Sequence, residues 1–332
     1  MPRISDFSHV RVPELPAIPG MVTPSEQRYL YWLTSEGYTG TAPVVEVGTW
    51  LGCSTIHLAA GLRDAGFHDA LHCFDKFVWG RFYASKGLLD LAPGSSFQTA
   101  FEQNVRPVYP KLRVTKTTLQ ELRWTGGAIE LLVLDAPKKL EDLSATLAAL
   151  GPSLVPGLSL LVLQDYLDAP AYVLAAVLSR LAGSLDLVHI LEGGTTVSFK
   201  VESPIDCGLA QPIDWNTRRW SPDETRETWR RIVQPLPPAA RDMFRPALAM
   251  MLFDQDHFED ALTAATATEG ASDALDCWRP YAAIHHVYER YAPLFHAVGI
   301  HPSRSVWETL RSLKRRARRG LKRRIRTALA HR

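Results

Sequence analysis

The sequence predicts an α/β fold: a seven-stranded, mostly parallel sheet that ends in an antiparallel hairpin, followed by a helical region. Three observations carry this expectation. From residue 43 onward, short apolar runs alternate with segments of helical period, the rhythm of a parallel sheet covered on both faces. Only Glu192-Gly193-Gly194 separates the last two apolar runs. That link is too short for a crossover and makes these two strands antiparallel. Beyond about residue 203 the strand patterns stop while helical ones continue.

In chain order, residues 1–22 read as an irregular lead-in, because Pro2, Pro13, Pro16 and Pro19 oppose regular helix. Thr23-Pro24-Ser25-Glu26 is a helix start: Thr23 caps, Pro24 suits the first helical position, and Glu26 stands at the capping-box position. Tyr29, Trp32 and Leu33 give that helix an apolar face. Strands are expected at 44–47, 70–74, 112–114, 129–134, 158–163, 187–191 and 195–200, and helices near 54–63, 97–105, 140–150 and 172–181. Ser221-Pro222-Asp223-Glu224 is a second capped start. It opens helical runs near 222–233, 238–253, 256–267 and 272–291. The expected organisation is a sheet domain with its lead-in helix over 1–203, a helical region over 204–302 and a basic tail over 303–332.

Composition narrows the class. The chain has 332 residues, 46% hydrophobic and 22% charged, which excludes a mostly disordered chain or a collagen-like repeat. Its mean hydropathy is −0.08. Cys53, Cys73, Cys207 and Cys277 are far apart and form no C-x-x-C pair, so reduced thiols in a cytosol are expected. No apolar run approaches the roughly 18 residues of a spanning helix, and no signal-peptide pattern opens the chain. The expected location is cytoplasmic, with a peripheral contact on the inner face of the membrane through the tail. Net charge is only +2, but residues 303–332 hold 12 Lys/Arg against one acid, Glu308. The other residues therefore carry −9. Leu310, Ala317, Leu321, Ile325 and Leu329 give the tail a narrow apolar stripe beside a broad cationic face. Such a helix suits an anionic membrane surface better than sequence-specific nucleic acid; a solvated tail is the bland alternative.

The chemistry-bearing motif is Glu46-Val-Gly48-Thr49-Trp-Leu-Gly52-Cys-Ser54, placed where the first strand turns into a helix. Gly48 and Gly52 permit a tight turn, and the helix N-terminus offers N–H groups to an anionic group such as a carboxylate. No Gly-Lys-Ser/Thr follows, so this is no phosphate P-loop; glycines four apart do not make the G-x-G-x-x-G fingerprint either. Asp75 ends the second strand, about one βαβ unit later. An acid at that strand end can accept hydrogen bonds from both hydroxyls of a ribose.

With these residues in place, 20–200 resembles a class I S-adenosylmethionine-dependent methyltransferase with a Rossmann-like sheet. E-x-G-x-x-x-G-x-S matches the first motif of that family. The lead-in Pro19-Gly20-Met21-Val22-Thr23-Pro24-x-Glu26 and the Phe74-Asp75-x-Phe77 segment resemble the subgroup of macrocin O-methyltransferase and related sugar or natural-product methyltransferases. The resemblance implies that Glu46, Gly48, Thr49, Gly52 and Ser54 shape the pocket for the methionine part of the cofactor. It implies that Asp75 holds the ribose, and that Thr117 and Thr118 line the adenine side.

A second constellation stands at two further strand ends, with Asp135 after 131–134 and Gln164-Asp165-Tyr166 after 158–163. Two carboxylates and an amide oxygen are ligands that Mg²⁺ accepts. In the subgroup, the corresponding D-G-D/H and D-D-Y positions hold a metal that orients substrate hydroxyls. Here Gln164 replaces one acid, and Ala136-Pro137-Lys138 replaces the stretch that often carries a catalytic His. Lys138 serves as base only if its pKa is lowered; the bland alternative is a lysine paired with acidic neighbours. A metal-bound hydroxyl is another route.

The expected function is O-methylation of a sugar or glycosylated natural product, with S-adenosyl-L-methionine and Mg²⁺ as cofactors, Asp135, Lys138 and Asp165 at the chemistry, and Asp135 also on the cofactor side. The expected partners are a small-molecule or glycan acceptor and a second copy of the chain. The competing expectation is a catalytically altered cofactor-fold protein that recruits an envelope or glycan-assembly partner.

Overall fold

A computed structural model of the chain describes residues 7–84, 88–192, 194–206, 208, 220–267, 273–282 and 284–301. The basic segment 303–332, Gly193 and Cys207 lie outside the described residues. Seven strands form one sheet: β1 (Val44–Val47), β2 (Leu71–Asp75), β3 (Arg113–Lys116), β4 (Leu131–Leu134), β5 (Leu160–Leu163), β6 (Leu185–Ile190) and β7 (Val197–Val201). Their order is β3-β2-β1-β4-β5-β7-β6. The first five are parallel, with Val44 opposite both Leu71 and Leu131, and Leu131 opposite Leu160. β7 runs antiparallel to both β5 and β6, as the short 192–194 link requires. β1, β4 and β5 are apolar on both faces except at Glu46, and every residue of the three is buried. Helices on both sides of a parallel sheet produce that pattern.

The lead-in helix α1 (Pro24–Trp32) begins with the expected reciprocal cap. The Thr23 hydroxyl accepts from Glu26 N–H, and the Glu26 carboxylate accepts from Thr23 N–H at 2.7 Å. Glu26 also accepts from the Thr196 hydroxyl at 2.6 Å, and Tyr29 Oη pairs with Ser198 Oγ at 2.7 Å. The helix start is thereby tied to β7. A π turn at Leu33–Gly37 follows directly, a feature without a sequence signal.

The crossovers hold α2 (Cys53–Asp64), a short α3 (Arg81–Ala84), α4 (Gln98–Val105), α5 (Leu140–Leu150) and α6 (Val173–Leu178). Then come α7 (Pro222–Val233), with a Ser221/Glu224 capping box, and α8 (Pro238–Phe244). α9 (Pro246–Asp254), α10 (Phe258–Thr266), α11 (Asp273–Ala282) and α12 (His285–Ala297) complete the described elements. Two expected long helices are each broken. The 238–253 run stops at Arg245, since Pro246 cannot donate to the preceding turn and disfavours helical backbone before it. The 272–291 run is interrupted by Ile284, whose backbone is extended. Pro293 kinks α12, leaving Tyr291 non-helical. The chain divides into two compact units at Ala247/Leu248. Among the described residues, no helix is long and apolar enough to cross a membrane.

Candidate functional site

A cavity of about 520 Å³ opens at the C-terminal ends of β1, β2, β4 and β5, within the volume range of small-ligand sites. In this strand order the chain reverses its direction of sheet growth between β1 and β4, and ligands of open α/β sheets bind at such a switch point. Backbone strain is concentrated here. Trp50, Phe77 and Asp165 follow β1, β2 and β5 with φ of 42°, 49° and 62°, a region costly for residues with a Cβ.

The glycine loop serves packing as much as access. Gly48 lines the cavity with φ of 92°. A Cβ there would come within 2.5 Å of Ala136 N and 2.7 Å of its Cβ. The glycine is thus demanded by the approach of the loops after β1 and β4 as well as by the tight turn that the sequence predicts. Gly52 lies outside the cavity lining and caps α2 with φ of 96°; a Cβ would meet Val105 and Phe101 of α4. Glu46 also lies outside the lining and is fully buried. Its carboxylate accepts from Ser54 Oγ at 2.5 Å and Thr55 Oγ1 at 2.6 Å, tying the first turn of α2 to β1. Burial pushes Glu46 up to about 7 against the pull of those hydroxyls. Thr49, Ser54 and Cys53 do line the cavity.

Asp75 reaches the cavity from β2. Its Oδ2 accepts from the backbone of Thr49 at 3.0 Å and Trp50 at 3.1 Å, and its Oδ1 from Phe77 at 2.7 Å. Burial raises its pKa, opposed by these three N–H groups. One carboxylate therefore sets the shape of the loops after both β1 and β2. Thr117 and Thr118 also line the cavity, with Thr118 Oγ1 donating to Glu121 at 2.8 Å. Trp79, at the end of the loop after β2, is fully buried against Phe97 and Tyr83. Trp50 and Tyr83, 5.1 Å apart, are the aromatic pair on the cavity. Sequence reasoning missed them because a strained loop residue and a short helix leave no periodic signal.

At the β4 and β5 ends, Asp135, Lys138, Gln164 and Asp165 share the rim. Lys138 Nζ donates to Asp135 Oδ1 at 2.7 Å and also to Asp165 Oδ2. Thr195 Oγ1 donates to Asp165 Oδ1 at 3.3 Å. Burial alone would lower the lysine pKa, but the two carboxylates outweigh it and raise it above the ordinary range. Lys138 therefore stands as an ammonium ion, not as the neutral amine a general base needs. The side chains of the three are 34–43% exposed, so solvent screens the pairs and their contribution to stability is small. The Mg²⁺ expectation falls on this same rim, at Asp135, Gln164 and Asp165. The ammonium lies between the two carboxylates, and among the described residues no cluster of three His, Cys, Asp or Glu could hold a metal ion. Asp168, which the sequence reading passed over, lies one turn beyond Asp165. Burial and the Asp165 charge lift it to about 7.

Residues 45–166 match a family described as methyltransferase domain. No curated protein matches the chain. Among solved structures, it is similar to the O-methyltransferase NovP: 15% identity, TM-score 0.46, covering 55% of this chain and 82% of that one. It is similar to CalS11, described as a TDP-rhamnose 3'-O-methyltransferase of calicheamicin biosynthesis: 20% identity, TM-score 0.36, covering 52% and 76%. The methyltransferase CcbJ from Streptomyces caelestis follows at 13% identity, TM-score 0.31, covering 59% and 86%. The family match thus likens residues 45–166 to a methyltransferase domain.

Proposed function

We propose that the chain is an S-adenosylmethionine-dependent O-methyltransferase acting on a hydroxyl of a sugar or glycosylated small molecule. The observation that carries this reading is one cavity, at the switch point of the sheet, lined at one end by Gly48, Asp75, Thr117 and Thr118 and at the other by Asp135, Lys138 and Asp165. The first end suits a nucleoside: three backbone N–H groups leave Asp75 about one acceptor site, on Oδ1, for a ribose hydroxyl, and Thr117 and Thr118 offer polar contacts beside Phe74. Thr49 and the N-terminal N–H groups of α2 face a carboxylate. S-adenosylmethionine, when bound, supplies a methyl group on a sulfonium.

The second end handles the acceptor. Its oxygen takes the methyl carbon as the carbon–sulfur bond breaks, and its proton must leave to a base. Asp165 has both oxygens engaged, by Lys138 and Thr195, whereas Asp135 shows a side-chain bond only at Oδ1. Asp135 Oδ2 is the acceptor for that proton, and Lys138 holds the emerging negative charge. Purified full-length protein incubated with methyl-labelled S-adenosylmethionine and a panel of nucleotide sugars and glycosides tests the reading. Label should enter a hydroxyl acceptor, and Asp135→Asn should slow transfer by roughly 10²-fold or more, the scale of a lost general base. Undiminished transfer by that variant would remove Asp135 from the chemistry.

A further inference from the structure

We infer that Lys138 is the built-in cation of this site, so that the acceptor hydroxyl is held by a lysine ammonium and the carboxylate pair binds no divalent metal. The inference rests on the reading of the cavity as a methyl-transfer site and specifies how its acceptor end is made. Asp135 and Asp165 come from neighbouring parallel strands, β4 and β5, and converge on one point. At that point sits Lys138 Nζ, bonded to a carboxylate oxygen of each. A divalent ion bridging those two oxygens would have to displace a cation tethered three residues from one of them.

An ammonium group has three donors. Two are used by the carboxylates, and the third remains for an oxygen in the cavity that Lys138 lines. A second feature points to the same kind of ligand. Gln164 is only 6% exposed, lies on the cavity wall, and its Oε1 has no hydrogen-bond partner among the described residues. A buried acceptor left unpaired is costly, so it calls for a donor from the ligand. A ligand with two hydroxyls meets both demands. One oxygen accepts from Lys138 while its proton faces Asp135; the other hydroxyl donates to Gln164. The acceptor class is therefore a polyhydroxyl compound, as a sugar is.

The test uses full-length protein and manganous ion alone, followed by electron paramagnetic resonance, with S-adenosylmethionine binding measured separately by calorimetry. Chelator-treated wild type should show no saturable Mn²⁺ site up to millimolar concentration. Lys138→Met, which leaves two carboxylates facing each other, should gain one site, at least 10-fold tighter than any binding by wild type. Adding Asp165→Asn to that variant should abolish the gain. A one-to-one Mn²⁺ site in wild type that is lost in Asp135→Asn would overturn the inference, as would a folded Lys138→Met protein that gains none. Should Lys138→Met fail to fold, the wild-type and Asp135→Asn titrations still decide. Failure to bind S-adenosylmethionine would strike the methyltransferase reading instead, leaving the metal result to speak for the cation alone.

Discussion

Glu46 offers a quantitative test of how the glycine loop is anchored. It is a fully buried acid in the central strand, with a pKa lifted by burial from 4.5 to about 7. In the unfolded chain the carboxyl loses its proton near 4.5, whereas the folded protein retains it until about 7. Between those values the folded state binds more protons, so stability falls as pH rises through the window and stays low above it. At about 1.4 kcal/mol for each tenfold change in proton affinity, the loss from pH 5 to pH 8 comes to about 2–3 kcal/mol. Glu46→Gln keeps an oxygen acceptor for one of the Ser54 and Thr55 hydroxyls, presents an amide N–H to the other, and has nothing to ionise. Asp168, raised in the same direction, is present in both proteins and cancels in the comparison. Urea unfolding at pH 5 and pH 8 should show wild type losing about 2–3 kcal/mol more than Glu46→Gln. Parallel pH dependence in the two proteins would refute the assignment of a protonated, buried Glu46.

Gly48→Ala should destabilise by about 2–5 kcal/mol, combining roughly 1–2 for a side chain at positive φ and about 1–3 for the clash with Ala136; a melting curve reads it, and an unchanged midpoint would contradict the close approach of the two loops. Deleting 303–332 should abolish salt-sensitive co-sedimentation with anionic liposomes, at roughly 1 kcal/mol per basic residue near the surface, while S-adenosylmethionine binding survives; equal sedimentation of both proteins would end the membrane-surface proposal for the tail.

Much of the architecture was legible because its signals are local and physical. Apolar runs of four to six residues mark β1, β4 and β5, and the Thr23 and Ser221 caps with their Glu partners mark helix starts that occur where expected. The three-residue link at 192–194 sufficed to turn the last two strands antiparallel. Legibility ended where an outcome depended on what packs against a residue. Spacing marks Gly48 and Gly52 as special, but not that Ala136 and the side chains of α4 are what they make room for. Glu46 belongs to a recognisable motif, yet its hydroxyl partners on α2 keep it out of the cavity. At the β4 and β5 ends, the sequence placed Asp135 and Asp165 together but did not show that Lys138 Nζ lies between them, bonded to both. Asp135 first and Asp165 second then hold its pKa above the ordinary lysine range.

The central claim is that the cavity at the β1 and β2 ends holds S-adenosylmethionine with Asp75 as a direct contact. Calorimetric titration of the full-length protein and of Asp75→Asn measures it most directly. The account predicts one site per chain in wild type and an affinity reduced roughly 10–150-fold in the variant, the equivalent of about 1.5–3 kcal/mol for hydrogen bonds to a charged group. Folded wild type that takes up no S-adenosylmethionine, or a variant that binds it as tightly as wild type, would contradict the account.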